Sequence, residues 1–246
     1  MTEPRLSDLY FDTILFDFGG TLDADGIAWK DRFHAHCVAA GLAMSTEAFA
    51  LAFYAADDPM VGALPFDAGL TVTVRTLSAN LKNEIVRRGG ANAGVVGTRE
   101  WEERLAAGFL TESYQTFARN RPILEALSGR YRLGIVSNFY GNLETVCEEA
   151  GLAPFFGAIV DSHRVGAEKP DPAIFHAAFD RLDARPETTL FVGDSLKRDR
   201  EGASRTGISF AWIASPEARG CVTPPGPGPL EHPVFVSIEE LAGALP

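Results

Sequence analysis

The chain has 246 residues, 46% of them hydrophobic, which is enough for one large core or a core carrying an insertion. Its formal charge of -11 argues against nonspecific binding to nucleic acid or to an anionic membrane, but not against a small anionic substrate held at a locally positive site. Cys37, Cys147 and Cys221 are odd in number, widely spaced and without a CxxC pair, which is the usage of reduced thiols in a cytoplasmic protein. The first residues, MTEPRLSDLYFDT, lack a basic segment followed by an apolar one, so no signal peptide is expected, and no window reaches the roughly 20 apolar residues of a membrane span.

The first element is an apolar run, ILFDF (14–18), which reads as a buried strand and meets a carboxylate at Asp17 before the turn Gly19-Gly20-Thr21. Residues 24 to about 115 then carry helical patterns: 29–42, 46–57, 70–89 and 98–120. TVTVRTL within the third of these has strand-like composition, but its continuation into a long amphipathic pattern favours helix. After this insert, short strands and helices alternate. Strands are expected at YRLGIVSN (131–138), FGAIVDS (156–162), TLFVGDS (189–195), ISFAWIA (208–214) and PVFVSI (233–238). Helices are expected at 121–130, at 142–152 with Gly151 as C-cap, at 171–184 and at 200–208. The Pro- and Gly-rich stretch 221–233 reads as a loop. Strands alternating with helices predict an α/β fold, a Rossmann-like parallel sheet with helices on both faces. The expected organisation is a core of residues 1–23 and 116–246 with a helical insert at 24–115.

In an open parallel sheet, ligands bind beyond the carboxyl ends of the strands. Here those ends carry Asp17, the pair Ser137-Asn138, Lys169 in the loop AEKPDPAIF after the third strand, and Asp194 with Asp199 five residues on. Each has a plain structural reading as a cap or turn residue; in this order, each at a strand end, they read as one site. Carboxylates, a hydroxyl and a lysine suit a hard cation and an anion. Mg²⁺ takes a few carboxylates plus waters and phosphate oxygens, and a carboxylate is also a nucleophile toward phosphorus.

With these motifs in order, the sequence resembles the haloacid dehalogenase (HAD) superfamily over nearly the whole chain outside the insert. The resemblance implies that the insert is a helical C1 cap. It implies that Asp17 is the nucleophile and forms an aspartyl-phosphate, that Ser137 binds the transferred group and that Lys169 neutralises both. Gly19, Gly20, Thr21 and Asn138 would hold phosphate. Asp17, the Gly19 carbonyl, Asp194 and Asp199 would form the Mg²⁺ site, with Asp199 ordering metal-bound water. The expected activity is that of a Mg²⁺-dependent phosphatase of a small phosphorylated metabolite, with oligomeric state left open. The departure is DFGGT in place of DxDGT: Gly19 stands where the family's general acid/base is. Asp23, Asp25, His34 and His36 are the nearby substitutes, each also readable as a turn acid or a packing histidine. The rivals are a 2-haloacid dehalogenase-type hydrolase, disfavoured by the retained Asp194 and Asp199, and a catalytically silent phosphate-binding or regulatory protein. In the insert, Lys30, Arg32, Arg75, Lys82, Arg87, Arg99 and Arg104 supply charge, and Trp29, Phe33, Phe53, Tyr54 and Trp101 are the aromatic residues that could line a pocket.

Overall fold

The computed structural model describes residue 6 and residues 9–89, 96–216, 218 and 232–246. Six parallel strands form one sheet in the order β3-β2-β1-β4-β5-β6. They are β1 (Thr13–Phe16), β2 (Arg132–Ser137), β3 (Ala158–Asp161), β4 (Thr189–Gly193), β5 (Ser209–Ile213) and β6 (Val234–Phe235). All six expected strands are present; the last is only two residues long. Alternate residues face opposite sides, as the pleat requires. Ile14, Phe16, Ile135 and Val192 enter one apolar core, while Leu15, Val136 and Phe191 enter a second on the other face. Burial on both faces explains why these strands read as continuous apolar runs rather than as alternating ones.

Between β1 and β2 the described residues form the long helices α1 (Trp29–Ala39), α2 (Thr46–Asp57), α3 (Leu70–Arg87) and α4 (Arg99–Ser128). In α3, Leu70, Val74, Leu77, Leu81 and Ile85 fall on one buried stripe, which is why TVTVRTL is helical despite its β-branched residues. The patterns at 98–120 and 121–130 are one 30-residue helix rather than two; Pro122 is exposed on it and does not end it. The inserted helices and one sheet face share a single apolar cluster, in which Phe18 after β1 meets Phe117 of α4 and Phe139 after β2.

Later in the chain come α5 (Leu143–Glu149), α6 (Pro172–Leu182), α7 (Glu201–Thr206) and α8 (Ile238–Ala244), with a single helical turn at Ser162–Val165 after β3. Gly151 follows α5 with φ +68°, and Gly207 ends α7 at φ +72°, both left-handed stops. Leu196–Arg200 forms a π-helical turn before α7. Cys37 and Cys147 are buried free thiols, the first pushed up to about 12 by burial and the second higher still. Cys221 and residues 221–231 of the expected loop lie outside the described residues. Among the described residues no helix is long and apolar enough to cross a membrane.

Candidate active site

The chain leaves β1 toward β2 and β3 on one side and continues through β4, β5 and β6 on the other. The carboxyl edge between β1 and β4 is therefore the point where the connections diverge, which is where an open α/β sheet opens a crevice. Asp17 sits there, its N–H donating to the Val192 carbonyl at 2.8 Å, so it is held at the strand edge. Asp194 follows β4, and Asp199 comes back from the π-helical turn; oxygens of Asp17, Asp194 and Asp199 all lie within 4.8 Å of one another. Two glycines make this crowding possible. A Cβ on Gly20, whose φ is +92°, would come to 2.5 Å from an Asp194 oxygen, and one on Gly193 to 2.3 Å from an Asp199 oxygen.

Lys169 is buried and bridges two of the acids: its Nζ lies 2.6 Å from Asp17 Oδ1 and 2.8 Å from Asp199 Oδ1. Burial pushes the ammonium down, but Asp17 and Asp199 together push it further up, so it stays charged. Asn138 fixes the backbone there, accepting from the Lys169 N–H at 2.7 Å and donating to the Lys169 carbonyl at 3.1 Å. Ser137 Oγ donates to Asp17 Oδ1 at 2.9 Å. The Ser195 N–H donates to Asp199 Oδ2 at 2.8 Å. Burial and the charges of Asp17 and Asp199 push Asp194 well above the usual carboxylate range; burial also pushes Asp199 up, against the pull of Lys169. Three crowded hard oxygen donors whose ionised forms repel one another are a set that a small divalent cation relieves, so the residues present fit Mg²⁺.

These groups open into a cavity of about 140 Å³, lined by Asp17, Gly19, Ser137, Asn138 and Lys169 on the sheet side and by Trp29, Lys30, Phe53, Tyr54 and Asp57 from the inserted helices. Phe139, Tyr140 and Arg198 complete the wall. Thr21 is fully buried away from the cavity, and its Oγ1 has no hydrogen-bond partner; Gly20 is also outside the lining, its N–H donating to Asp23.

The nearby substitutes for a residue-19 acid fall elsewhere. Asp23 is not a solvated turn acid. It is fully buried, with Oδ1 accepting from the Gly20 N–H and Oδ2 from Trp29 Nε1 and Arg32 Nη1, each at 2.7 Å. The reason is Arg32, itself buried and bonded to Ser113 Oγ at 2.9 Å and the Phe109 carbonyl at 3.1 Å, which gives the carboxylate an interior partner. Asp25 pairs with Arg119 near the surface. His34 packs on Phe49, and His36 faces Glu112. Phe33 and Trp101 are buried in the apolar core, whereas Lys82, Arg87 and Arg99 pair with neighbouring glutamates and Arg75 and Arg104 are exposed.

Asp57, Tyr140 and Arg198 line the cavity without having been singled out in the sequence. Tyr140 donates to Asp57 Oδ1. The loop carrying Tyr140 is tied down by Asp161, which accepts from Gly141 and Leu143 N–H at 2.8 and 3.1 Å. The apolar-run pattern marks strand ends, and none of these three residues is at one; the Asp-Asp-Pro sequence at 57–59 was the available signal that a helix ends there.

A family profile described as "Hydrolase: haloacid dehalogenase-like hydrolase" matches residues 11–207. The chain is 33% identical over 167 residues to a glyceraldehyde 3-phosphate phosphatase of Methanothermobacter thermautotrophicus, covering 61% of this chain and 73% of that one. It is 38% identical over 86 residues to the haloacid dehalogenase-like hydrolase domain-containing protein 3 of Bos taurus, covering 35% of this chain and 34% of the bovine one, so it matches about a third of that relative's length. Among solved structures, the magnesium-bound HAD-hydrolase YfnB of Bacillus subtilis aligns with a TM-score of 0.57 at 22% identity, over 96% of this chain and 99% of that one. A dehalogenase with an intermediate complex aligns with a TM-score of 0.60 at 19% identity, over 96% and 98%. At these identities the structures speak for the shared fold alone.

Proposed function

The chain belongs to the haloacid dehalogenase-like hydrolase family, and on that premise we propose that it is a Mg²⁺-dependent phosphatase of a small phosphorylated metabolite. The observation that carries this reading is the cluster of Asp17, Asp194 and Asp199 within 4.8 Å, bridged by a buried lysine. The cations that act on these three carboxylates among the described residues are Lys169 and Arg198, fewer than the carboxylates, so a phosphate dianion would enter an already negative site. Asp17, the Gly19 carbonyl and Asp194 would hold Mg²⁺, with Asp199 ordering metal-bound water, and the ion would supply the missing positive charge and favour the ionised nucleophile.

The chain's own residues do the rest. Lys169 and Ser137 both engage Asp17 Oδ1, which orients the carboxylate and leaves Oδ2 to attack phosphorus. Lys169 keeps a third N–H for an equatorial phosphate oxygen, and Ser137 would turn its single O–H from Asp17 to another as charge shifts onto it. Arg198, held up by Asp17, Asp199 and Asp194 against the effect of burial, adds a charge-assisted donor at the rim. The inserted helices serve as the cap, Trp29, Phe53 and Tyr54 giving the pocket its apolar wall. A cavity of about 140 Å³ is below the ~300–1,000 Å³ of drug-sized ligand pockets, which favours a substrate of few carbon atoms.

Phosphate release from alkyl and activated phosphate esters, with Mg²⁺, with chelator and with Asp17→Asn, tests the reading. Turnover that requires both the metal and Asp17 is expected. Halide release from a 2-haloacid with the chelator present, and no phosphate release, would overturn it.

A further inference from the structure

A phosphatase of this kind needs a proton at the leaving oxygen, and residue 19 has no side chain to carry one. The carboxyl groups lining the cavity, among the described residues, are Asp17 and Asp57. Asp57 is the last residue of α2, half-buried, and comes from the inserted helices rather than the sheet. In-line displacement puts the leaving oxygen on the side of phosphorus away from the attacking carboxylate, toward the wall that does not carry Asp17.

We propose that Asp57 is the general acid and base of this enzyme: its carboxyl protonates the leaving-group oxygen and its carboxylate then activates water, with Tyr140 as the positioning residue. The inference rests on the phosphatase reading above. As Asp17 Oδ2 bonds to phosphorus, the phosphorus–oxygen bond to the leaving group breaks and that oxygen takes the Asp57 proton. Asp57, now ionised, removes a proton from a water molecule as that water attacks phosphorus. The bond to Asp17 breaks, its electron pair returns to the Asp17 carboxylate, and inorganic phosphate departs. Asp57 is left protonated for the next cycle.

The surroundings suit both roles. Burial raises the Asp57 carboxyl, helped by the neighbouring charge of Asp58 and opposed by Tyr140 and Arg198. A carboxylate at a helix C-terminus is further disfavoured by the helix dipole. Tyr140, buried and raised far above the usual phenol range by burial and by Asp57, stays a donor throughout. It fixes Asp57 Oδ1 and leaves Oδ2 for the substrate. Lys30 of α1 and Tyr54 of α2 complete the titratable groups that line the cavity from this side.

First-turnover rates with Mg²⁺ separate the possibilities, using an alkyl phosphate and p-nitrophenyl phosphate. Nitrophenolate departs without a proton, an alkoxide does not. Asp57→Asn, which keeps an acceptor for Tyr140, should lower the first turnover of the alkyl ester by ~10²–10⁴ and that of the nitrophenyl ester by less than about tenfold. The nitrophenyl reaction should then stall after one equivalent, because the phosphoenzyme lacks its base. Tyr140→Phe removes a donor to the carboxylate, so the basic limb of the alkyl-ester pH profile should move to higher pH. Equal losses on both esters, or no loss on either, would overturn the role of Asp57, as would an unmoved limb in Tyr140→Phe. If the unaltered chain releases nothing from either ester in an Asp17-dependent way, the phosphatase reading fails first and takes this one with it.

Discussion

Removing either partner of the Asp23–Arg32 pair should destabilise the protein far more than an exposed ion pair does. The two side chains are 0% and 4% exposed, and their closest approach is 2.7 Å. Burial pushes the Asp23 carboxyl up despite Arg32, Gly20 and Trp29, so the pair is held against a desolvation penalty and is not itself a large source of stability. The damage comes from stranding what remains. Asp23→Ala leaves a buried guanidinium short of its anion and removes the acceptor for the Gly20 and Trp29 N–H groups. Arg32→Met leaves a buried carboxyl with those two donors alone. Breaking one side of a buried pair costs about 3–5 kcal/mol. For a chain of this length that lowers Tm by roughly 6–20 °C. The double variant strands neither charge, so its loss should fall short of the summed single losses by about 2–3 kcal/mol. Denaturant unfolding of all four proteins reads both quantities. Single losses under about 1 kcal/mol, or additivity within ~0.5 kcal/mol, would refute the reasoning.

Gly19→Asp should lower stability by about 1–3 kcal/mol by overpacking, because its Cβ would lie 3.2 Å from Trp29 Nε1 and 3.3 Å from Cδ1, and Trp29 is itself held by Asp23. With an acid already supplied from α2, it should change alkyl-phosphate turnover by less than about threefold; a rise of tenfold or more would show that no acid was in place. Asp57→Asn should raise Tm at neutral pH and leave it unchanged near pH 3. A carboxyl raised in the folded state contributes stability that is present below its unfolded value and lost as pH rises through the folded one, and Asn removes that loss. Equal Tm shifts at both pH values would count against the raised carboxyl.

The strand ends were legible because chemistry and periodicity coincide there. Asp17, Ser137, Lys169, Asp194 and Asp199 each follow an apolar run or its loop, and a parallel sheet brings such ends to one edge. The wall opposite was legible in part: Trp29, Phe53 and Tyr54 were among the aromatic candidates, but Asp57, Tyr140 and Arg198 come from a helix end, a loop and a turn that no strand pattern marks. Asp23 was misleading for a different reason. LDADG has the composition of a solvated turn, and the partner that makes Asp23 an interior residue, Arg32, sits nine residues on in a helix whose charged positions look alike in sequence. The patterns at 98–120 and 121–130 form one helix although Pro122 lies at their junction, because burial of Leu124 and Leu127 on the stripe continuing from Phe117 carries α4 through it.

The glycine at position 19 has a packing reason once Trp29 is considered with it. The indole lines the cavity, contacts Phe109 and Phe139 edge-on at 5.0 and 5.9 Å, and is fixed at its nitrogen by the buried Asp23 carboxylate. A side chain at residue 19 would compete for the space the indole fills, so Gly19 and Trp29 form one packing solution. Moving the proton-carrying group to α2 then couples chemistry to the inserted helices: the nucleophile belongs to the sheet edge, the acid to the insert, and both are present at the phosphate only when the insert lies over the strand ends. That arrangement also spares the sheet edge a fourth carboxylate beside Asp17, Asp194 and Asp199, where burial and the charges of Asp17 and Asp199 already push the Asp194 carboxyl up.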